Sequence, residues 1–478
     1  MSARGQAQGQ APGIAGTDAE SPEHGGLFGP EYAALTLAIV SLISVIAFES
    51  MAVSTAMPEV AVELDAVRSY GLAFSVMLTT QLLGIVLAGV WCDRAGSLPS
   101  LLTGQVLFAV GCGICGASTE FAPFLLGRAV AGLGAGLTFV AGFVLIGRTY
   151  PEALRPRVFS AISAAWVLPS LIGPALAGWV TSTWSWRWVF WIVIVPVALA
   201  LVVLLVRRGQ IRAADAGVEA SSRDHHSHVR AAWLGLGIAV SAGVMQWGTH
   251  ELELTWSTKT VAALVGLLGV FICAPRLLPA GTFTMRRGLS SVMLSRFFLP
   301  CAFFGTITYI PLMLTGERGL TLAQAGLVLA IGSIGWSVGS WVQGRDRFAG
   351  RRDRLVSLGG GALATGLLGV VVVTWAGWWP WWVAAPLAVA GLGMGLGTAS
   401  LSVLALSLTA PADHGSASSN LQLSDVLGSV IGIAGTGAVF AALHTRAGED
   451  VPAFVAMWLG TAAIATMVIV AGRRIRST

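Results

Sequence analysis

The chain has 478 residues and a formal net charge of +5, and its length alone would fit two or three soluble domains. Composition excludes that option, because hydrophobic residues make up 55% and charged residues only 11%, against about 25% in soluble domains. The 60 glycines and a mean hydropathy of +0.77 are typical of helices packed in lipid. The composition therefore predicts an integral membrane protein rather than a soluble enzyme or a nucleic-acid-binding protein.

The predicted elements begin with a polar segment, 1–31, which we expect to be a disordered cytoplasmic tail. Fourteen apolar runs follow, each long enough to cross about 30 Å of hydrocarbon as a helix. The first seven runs are 33–56, 70–91, 100–117, 122–146, 158–180, 188–206 and 231–248. The second seven runs are 259–275, 297–315, 322–343, 355–375, 381–408, 418–442 and 452–472. An even number of spans places both termini on one side.

Arginine placement indicates which side that is. Of the 28 basic residues, 22 fall in segments on the side of the termini, five fall on the other side, and Arg128 lies inside a span. Arg296, directly before the span 297–315, is counted with the 22. The positive-inside rule then predicts cytoplasmic termini in the cell membrane. Tryptophan clusters at 184–191 and 375–382 are predicted to anchor the outer boundary.

Span two ends in the motif Gly89-Val-Trp-Cys-Asp93-Arg94-Ala-Gly96. The partial negative charge of a helix C-terminus favours Arg94, while Asp93 can accept a hydrogen bond from a neighbouring helix N-terminus. The glycines allow a tight turn and close helix contact. The motif predicts a charged latch at the membrane surface.

Charged residues inside spans are candidates for function, because each costs at least about 2.5–3.5 kcal/mol at mid-bilayer. Glu49 lies in span one, Arg128 in span four and Asp425 in span thirteen. Asp425 belongs to a polar stripe with helical spacing, formed by Ser418, Gln422, Asp425 and Ser429. This stripe is either a hydrogen-bonded seam between two helices or a cavity wall that contacts substrate.

Glu49 and Arg128 each have a structural and a functional interpretation. Burial favours the neutral form of a carboxyl group, so Glu49 could take up a proton and release it on the other side. Alternatively, Glu49 reaches the outer surface or pairs with a buried arginine. Arg128 is either a structural counter-ion or a group that holds a carboxylate ionised, and the sequence does not identify that carboxylate.

Together these motifs resemble those of the major facilitator superfamily, and in particular of its fourteen-span drug:proton antiporters. Asp93, Arg94 and Gly96 match the loop signature after span two, although Ser97 and Leu98 replace its closing Arg-Lys pair. The other matching segments are Glu49 to Pro58, Leu126-Gly-Arg128, Gly173-Pro174-Ala-Leu-Ala-Gly178, and a degenerate second latch with Asp346 and Arg347. The resemblance covers residues 33–472.

The resemblance implies an all-α membrane fold with two six-helix bundles and two additional helices between them. The N-terminal bundle would be 32–206, a cytoplasmic loop 207–230, the inserted helices 231–290, the C-terminal bundle 291–472 and a cytoplasmic tail 473–478. Substrate would bind between the bundles, with alternating access by rocking.

The implied function is proton-coupled export of amphipathic drug-like molecules, with Glu49 and Arg128 in proton coupling and Gly173, Pro174 and Gly178 as the antiporter motif. Export of a lipid or of an endogenous secondary metabolite is the alternative on the same scaffold. A non-transporting membrane sensor is a third hypothesis, and it would need the segment 1–31 as a partner-binding tail.

Several other partners are not expected. Lys259 is the sole lysine and no glycine run precedes it, so no Walker A loop is present. Cys112 and Cys115 are interpreted as packing residues, and the histidines near 225–228 as part of a solvated loop. We therefore expect no enzyme activity, cofactor, metal or nucleic acid. Partners would be a small amphipathic substrate, protons and membrane lipids, with the chain as a monomer.

Overall fold

The computed structural model describes residues 29, 32–151, 154–216, 225–249, 257–279, 281–409, 414–444 and 450–475. The described residues are 88% helical and contain no strand. Helices dominate because a chain in lipid must satisfy its backbone hydrogen bonds within each segment. The predicted tail 1–31 lies outside the described residues, apart from Gly29.

Sixteen α-helices follow one another along the described residues. The first eight are α1 (Ala33–Glu63), α2 (Tyr70–Ala95), α3 (Ser97–Ala117), α4 (Phe121–Thr149), α5 (Arg155–Thr183), α6 (Arg187–Val206), α7 (Arg208–Ala216) and α8 (His225–Thr249). The second eight are α9 (Thr258–Leu277), α10 (Leu289–Ile307), α11 (Ile310–Gly316), α12 (Leu322–Gln343), α13 (Arg352–Trp375), α14 (Ala384–Ser407), α15 (His414–Leu443) and α16 (Val451–Gly472).

Twelve segments of the described residues are long and apolar enough to cross a membrane, with α10 and α11 together forming one of them. Helices α5 and α8, of 29 and 25 residues, are also long enough, since about 20 residues suffice. This total agrees with the predicted fourteen spans. With nine residues, α7 is too short to cross.

The two bundles repeat one packing pattern. In the first bundle, α4 packs against α2 and α3, α1 against α5, and α3 against α6. In the second, α14 packs against α12 and α13, α10 against α15, and α13 against α16. The inserted hairpin of α8 and α9 packs on the side of α2, and α8 also contacts α15. The helix packing of the first bundle is therefore repeated in the second, and each bundle carries one copy of the latch motif.

The bundles contact each other through α5 with α12 and through α2 with α15. We call the side where α1 begins the near side and the side where α1 ends the far side. On the far side, the rings of Tyr70 and Tyr309 lie 5.2 Å apart, and the Tyr309 hydroxyl lies against the backbone of Gly71. Tyr309 occupies the break between α10 and α11, which directs its ring across the interface.

Two details differ from the sequence-based expectations. Helix α7 lies within the predicted loop 207–230, and α8 begins there at His225, whose side chain is not among those described. Trp186, predicted to anchor the boundary, is 1% exposed and donates to Glu63 Oε2 at 2.7 Å. Its cluster neighbours Trp184 and Trp188 are exposed. Trp186 can be buried because its indole N–H has a hydrogen-bond partner, the Glu63 carboxylate at the end of α1.

Candidate functional site

The first candidate site is an ion pair inside the N-terminal bundle. Glu49 lies near the middle of α1 and is 0% exposed, and Arg128 of α4 is 2% exposed. Arg128 Nη1 donates to Glu49 Oε1, although 79 residues separate the two in the chain. Arg128 Nε donates to the carbonyl oxygen of Ala73 on α2 at 3.0 Å. The pair therefore joins α1, α2 and α4 at one point.

Glycines in α4 determine how Arg128 reaches these partners. A Cβ atom at Gly132 would collide with the backbone of Met77 on α2. A Cβ atom at Gly127 would lie 2.6 Å from Cys115 Sγ on α3. Because neither position has a side chain, α4 approaches both helices closely enough for Arg128 to contact α2 and α1.

Only one member of this pair can change its charge. Arginine stays protonated in proteins, so a proton can be gained or lost only at Glu49. Burial favours the neutral form of a carboxyl group, whereas a neighbouring guanidinium favours the charged form. Glu49 Oε2 is buried and has no hydrogen-bond partner among the described residues. Glu49 is therefore the carboxylate that pairs with Arg128. Because its side chain is buried, Glu49 does not reach the surface.

A second ion pair lies in the C-terminal bundle. Arg296 Nη2 of α10 lies 2.5 Å from Asp425 Oδ2 of α15. Arg296 Nη1 donates to the carbonyl oxygen of Thr398 on α14 at 2.7 Å and to Ser402 Oγ at 3.4 Å. The side chains of Arg296 and Asp425 are 14% and 20% exposed. This pair is therefore more accessible than the one between Glu49 and Arg128.

The placement of Arg296 corrects the sequence analysis, which put this residue in a cytoplasmic segment. Helix α10 begins at Leu289, so Arg296 lies inside it and inside the membrane-crossing segment Leu289–Gly316. The predicted span started after Arg296 because an isolated charge in a span is costly. Asp425 removes that cost by pairing with it. The sequence did contain one signal for a buried arginine. Asp425 lies inside span thirteen, and a buried aspartate requires a cation nearby.

The polar stripe on α15 has two different parts. Ser429 is 5% exposed, and its hydroxyl donates to the backbone oxygen of Asp425 at 2.8 Å, so it is satisfied within its own helix. Nearby, a Cβ atom at Gly428 would collide with the backbone of Phe297, which makes this part a tight seam with α10. Gln422 and Asp425 are partly exposed. The fourth predicted residue, Ser418, has its side chain outside the described residues.

The first latch motif forms the turn between α2 and α3. Gly96 has a φ of +83°, which favours glycine, and Asp93 and Arg94 are exposed beside it. Gly89 makes no close helix contact, because a Cβ atom there would have nothing within 4 Å. The expectation of close packing therefore holds for Gly96 and not for Gly89.

An unpredicted residue, Asp215 of α7, binds at this turn. Asp215 Oδ2 accepts from the Ser97 backbone N–H at 2.9 Å, which caps the N-terminus of α3. Asp215 Oδ1 accepts from Arg148 of α4 at 2.8 Å. A Cβ atom at Gly96 would lie 2.6 Å from Asp215 Oδ2. Asp215 thus joins α7 to α3 and α4, in the loop where sequence patterns predicted only solvated residues.

The degenerate second latch lies between α12 and α13. A 3₁₀ turn spans Asp346–Arg351, and Arg347 is exposed with its guanidinium carbon 4.6 Å from the Phe348 ring centroid. The side chain of Asp346 lies outside the described residues. The turn occupies the position in the C-terminal bundle that Gly96 occupies in the N-terminal one.

The antiporter motif on α5 forms a close crossing between the bundles. A Cβ atom at Gly178 would lie 2.6 Å from the Cα atom of Ala323 on α12. A Cβ atom at Gly326 would collide with the carbonyl of Pro174. Gly173 makes ordinary contact with Phe48 of α1 at 3.4 Å. The motif therefore allows α5 and α12 to touch backbone to backbone in their far-side halves.

Comparison with known proteins gives one family. A family model described as Major Facilitator Superfamily matches residues 37–433. The multidrug efflux pump SdrM of Staphylococcus aureus is 23% identical over 307 residues, which cover 63% of this chain and 66% of SdrM. The multidrug transporter protein MdtP of Bacillus subtilis is 23% identical over 302 residues, covering 62% and 55%. The chain spans less than two thirds of the length of both relatives.

Solved structures of transporters share the fold. A peptide transporter POT in complex with alafosfalin superposes with a TM-score of 0.67 at 16% identity, covering 94% of this chain and 96% of that one. A D-xylose-proton symporter superposes with a TM-score of 0.60 at 16% identity, covering 90% and 96%. At such identities the similarity concerns the fold alone.

Proposed function

The chain belongs to the Major Facilitator Superfamily, and we propose that it is a proton-coupled exporter of amphipathic, drug-like organic molecules that works by alternating access. The family consists of transporters rather than enzymes, and the chain is a multi-pass membrane protein. One relative named as a multidrug efflux pump and one named as a multidrug transporter support the substrate class. The arginine excess on the near side supports cytoplasmic termini in the cell membrane.

The observation that carries the proposal is the buried pair of Glu49 and Arg128. A proton that reaches Glu49 from outside neutralises the carboxylate and removes its attraction for Arg128. Arg128 keeps its hydrogen bond to Ala73 and so stays with α2, which leaves α1 free to shift relative to α4. Loss of the proton to the cytoplasm restores the pair. Protonation at one residue is thus coupled to the relative position of three helices.

Alternating access requires one side to be closed while the other is open. The crossing of α5 and α12 and the contact of Tyr70 with Tyr309 close the far side. A closed far side supports a conformation that accepts substrate from the cytoplasm for export.

The remaining predicted residues have roles in the same proposal. Asp425 and Gln422, which are partly exposed, would contact substrate in the C-terminal bundle, with Ser418 and Ser429 on the same face of α15. Asp93, Arg94 and Gly96 would hold the near side of the N-terminal bundle, and Asp346 and Arg347 would do so in the second copy. Gly173, Pro174 and Gly178 would form the contact about which the bundles rock.

Transport by the purified protein in proteoliposomes tests the proposal. We expect an imposed pH gradient to drive accumulation of a cationic dye such as ethidium, and addition of the dye to release protons from preloaded vesicles. Dye movement that is unaffected by collapse of the pH gradient would contradict proton coupling. If no dye moves although substrate binding shows that the protein is active, the lipid or secondary-metabolite alternative is favoured instead.

A further inference from the structure

The pair of Arg296 and Asp425 presents two charges side by side to a partly open surface. Each residue has one polar atom without a hydrogen-bond partner among the described residues, namely Arg296 Nε and Asp425 Oδ1. Both atoms are buried, yet the two side chains retain 14% and 20% exposure. The contacts that exist already occupy Arg296 Nη1, Arg296 Nη2 and Asp425 Oδ2. Each side chain therefore has one buried polar atom that the described residues do not satisfy, while another part of the same side chain is exposed.

The two opposite charges of the pair favour some ligands over others. A cationic group alone could bind Asp425, but it would compete with Arg296 for the carboxylate and leave the guanidinium with less compensation. An anionic group alone would bind Arg296 and weaken the compensation of Asp425 in the same way. A molecule that carries both an ammonium and a carboxylate can satisfy both residues at once, since each charge meets its opposite.

The surroundings fix the direction of approach. Arg296 is held by the carbonyl oxygen of Thr398 on α14, and Ser402 Oγ donates to the same oxygen at 3.1 Å. This holds the guanidinium in place when its contact with Asp425 opens. The tight seam at Gly428 closes the α10–α15 interface on the far-side flank of the pair, which favours approach of a ligand from the near side. There Gln422, one turn from Asp425, is also partly exposed.

We propose that Arg296 and Asp425 form a recognition site for zwitterionic amphiphiles, with the ligand carboxylate on the Arg296 guanidinium and the ligand cation on the Asp425 carboxylate. The site adds a specificity-determining residue, Arg296, and narrows the substrate class. This inference rests on the proposed function, because it names which amphipathic molecules the exporter prefers. The pair thereby distinguishes substrates by charge pattern, while apolar contacts account for the rest of the binding.

Equilibrium binding of matched xanthene dyes to the purified full-length protein in detergent tests this site. Rhodamine 19 is a free acid with both charges, rhodamine 6G is its cationic ethyl ester, and fluorescein supplies an anionic relative. We expect the wild-type protein to bind rhodamine 19 roughly tenfold or more tightly than rhodamine 6G. Equal binding of the free acid and the ester by the wild-type protein would overturn the proposal without any variant.

Variants test whether Arg296 and Asp425 cause the preference for the zwitterionic dye. Arg296→Gln leaves Asp425 without its cation and should reverse the preference in favour of rhodamine 6G. Asp425→Asn should instead raise the relative affinity for fluorescein. The double variant carries neither charge, so it should lose discrimination among the three dyes while keeping its unfolding temperature near that of the wild type. If both single variants lose affinity for all three dyes by the same factor, the pair is purely structural and the proposal is wrong.

A matched control and a transport readout separate this inference from the proposed function. Glu63→Gln, which neutralises an exposed carboxylate at the far end of α1, should leave the dye ranking unchanged. If the dyes show no ranking but a pH gradient still drives ethidium accumulation, the zwitterion site is wrong and the exporter proposal stands. If no dye is bound or moved, both proposals fail.

Discussion

At the scale of single residues, Glu49 and Arg128 stabilise each other as charges inside the N-terminal bundle. Removing one partner of a buried pair leaves an uncompensated charge, which costs more than replacing both partners with neutral groups. We therefore propose two roles for the pair, one in stability and one in the response to protons. The two roles make different predictions about stability and about transport.

Arg128→Ala tests the structural role. The substitution should lower the free energy of unfolding by about 3–5 kcal/mol, because Glu49 loses its cation. Adding Glu49→Gln should recover part of this loss, since the amide carries no charge. Unfolding of the purified variants in detergent gives the double-mutant cycle. Strictly additive losses would mean that the two side chains do not stabilise each other.

The sequence predicted these residues as functional candidates because a charge in a span is rare and costly. It could not predict their contact, since 79 residues separate them and no local pattern relates α1 to α4. Arg296 was missed for a related reason. A charge inside a span is costly, so the predicted span was started after Arg296. The structure shows that Arg296 pairs with Asp425 inside the bundle, which offsets that cost.

At the scale of helices, the turn between α2 and α3 depends on Gly96 and on Asp215 of α7. The helices themselves were predictable from apolar runs of sufficient length. Helix α7 was not, because it is short and polar, and its attachment depends on one carboxylate that reaches Ser97 and Arg148. The latch motif lacks its usual closing Arg-Lys pair, and Asp215 with Arg148 supplies an ion pair at the same turn.

Gly96→Ala tests the turn. The positive φ and the proximity of Asp215 should together lower the free energy of unfolding by about 1–3 kcal/mol. Gly89→Ala is the matched control in the same motif, where open space and helix propensity predict no loss. Chemical unfolding of both variants gives the comparison. A Gly89 variant that is destabilised as much as the Gly96 variant would contradict the account of this turn.

Asp215→Ala tests the attachment of α7. Loss of the carboxylate removes the hydrogen bond to Ser97 and the ion pair with Arg148, so α7 should exchange its amide hydrogens faster and become sensitive to protease. Arg212→Ala, an exposed position on the same helix, serves as the control and should leave both rates unchanged. Unchanged exchange in the Asp215 variant would show that other contacts hold α7.

At the scale of the whole molecule, the two bundles have the same packing pattern. One of their far-side contacts is the crossing of α5 and α12, which is formed at glycines. Gly178 and Gly326 allow α5 and α12 to approach backbone to backbone. Since this contact must form and break in a rocking mechanism, added volume there should bias the molecule toward the state with the far side open.

Gly326→Val tests that bias. The added side chain would collide with the carbonyl of Pro174, so far-side closure should be disfavoured and transport should fall at least about tenfold. Spin labels on the far ends of α5 and α12 should report a longer distance by electron paramagnetic resonance. Gly435→Val on α15, where a Cβ atom has nothing within 4 Å, is the matched control. Unchanged distances in the Gly326 variant would contradict the role of this crossing.

The central claim is that the proton that drives export binds Glu49. Its most direct test compares two modes of transport by Glu49→Gln in proteoliposomes: exchange of labelled for unlabelled substrate without a gradient, and accumulation driven by a pH gradient. We expect the variant to keep exchange and to lose gradient-driven accumulation, whereas Glu63→Gln should keep both. Accumulation by the Glu49 variant with wild-type dependence on the pH gradient would contradict the claim and remove Glu49 from the coupling mechanism.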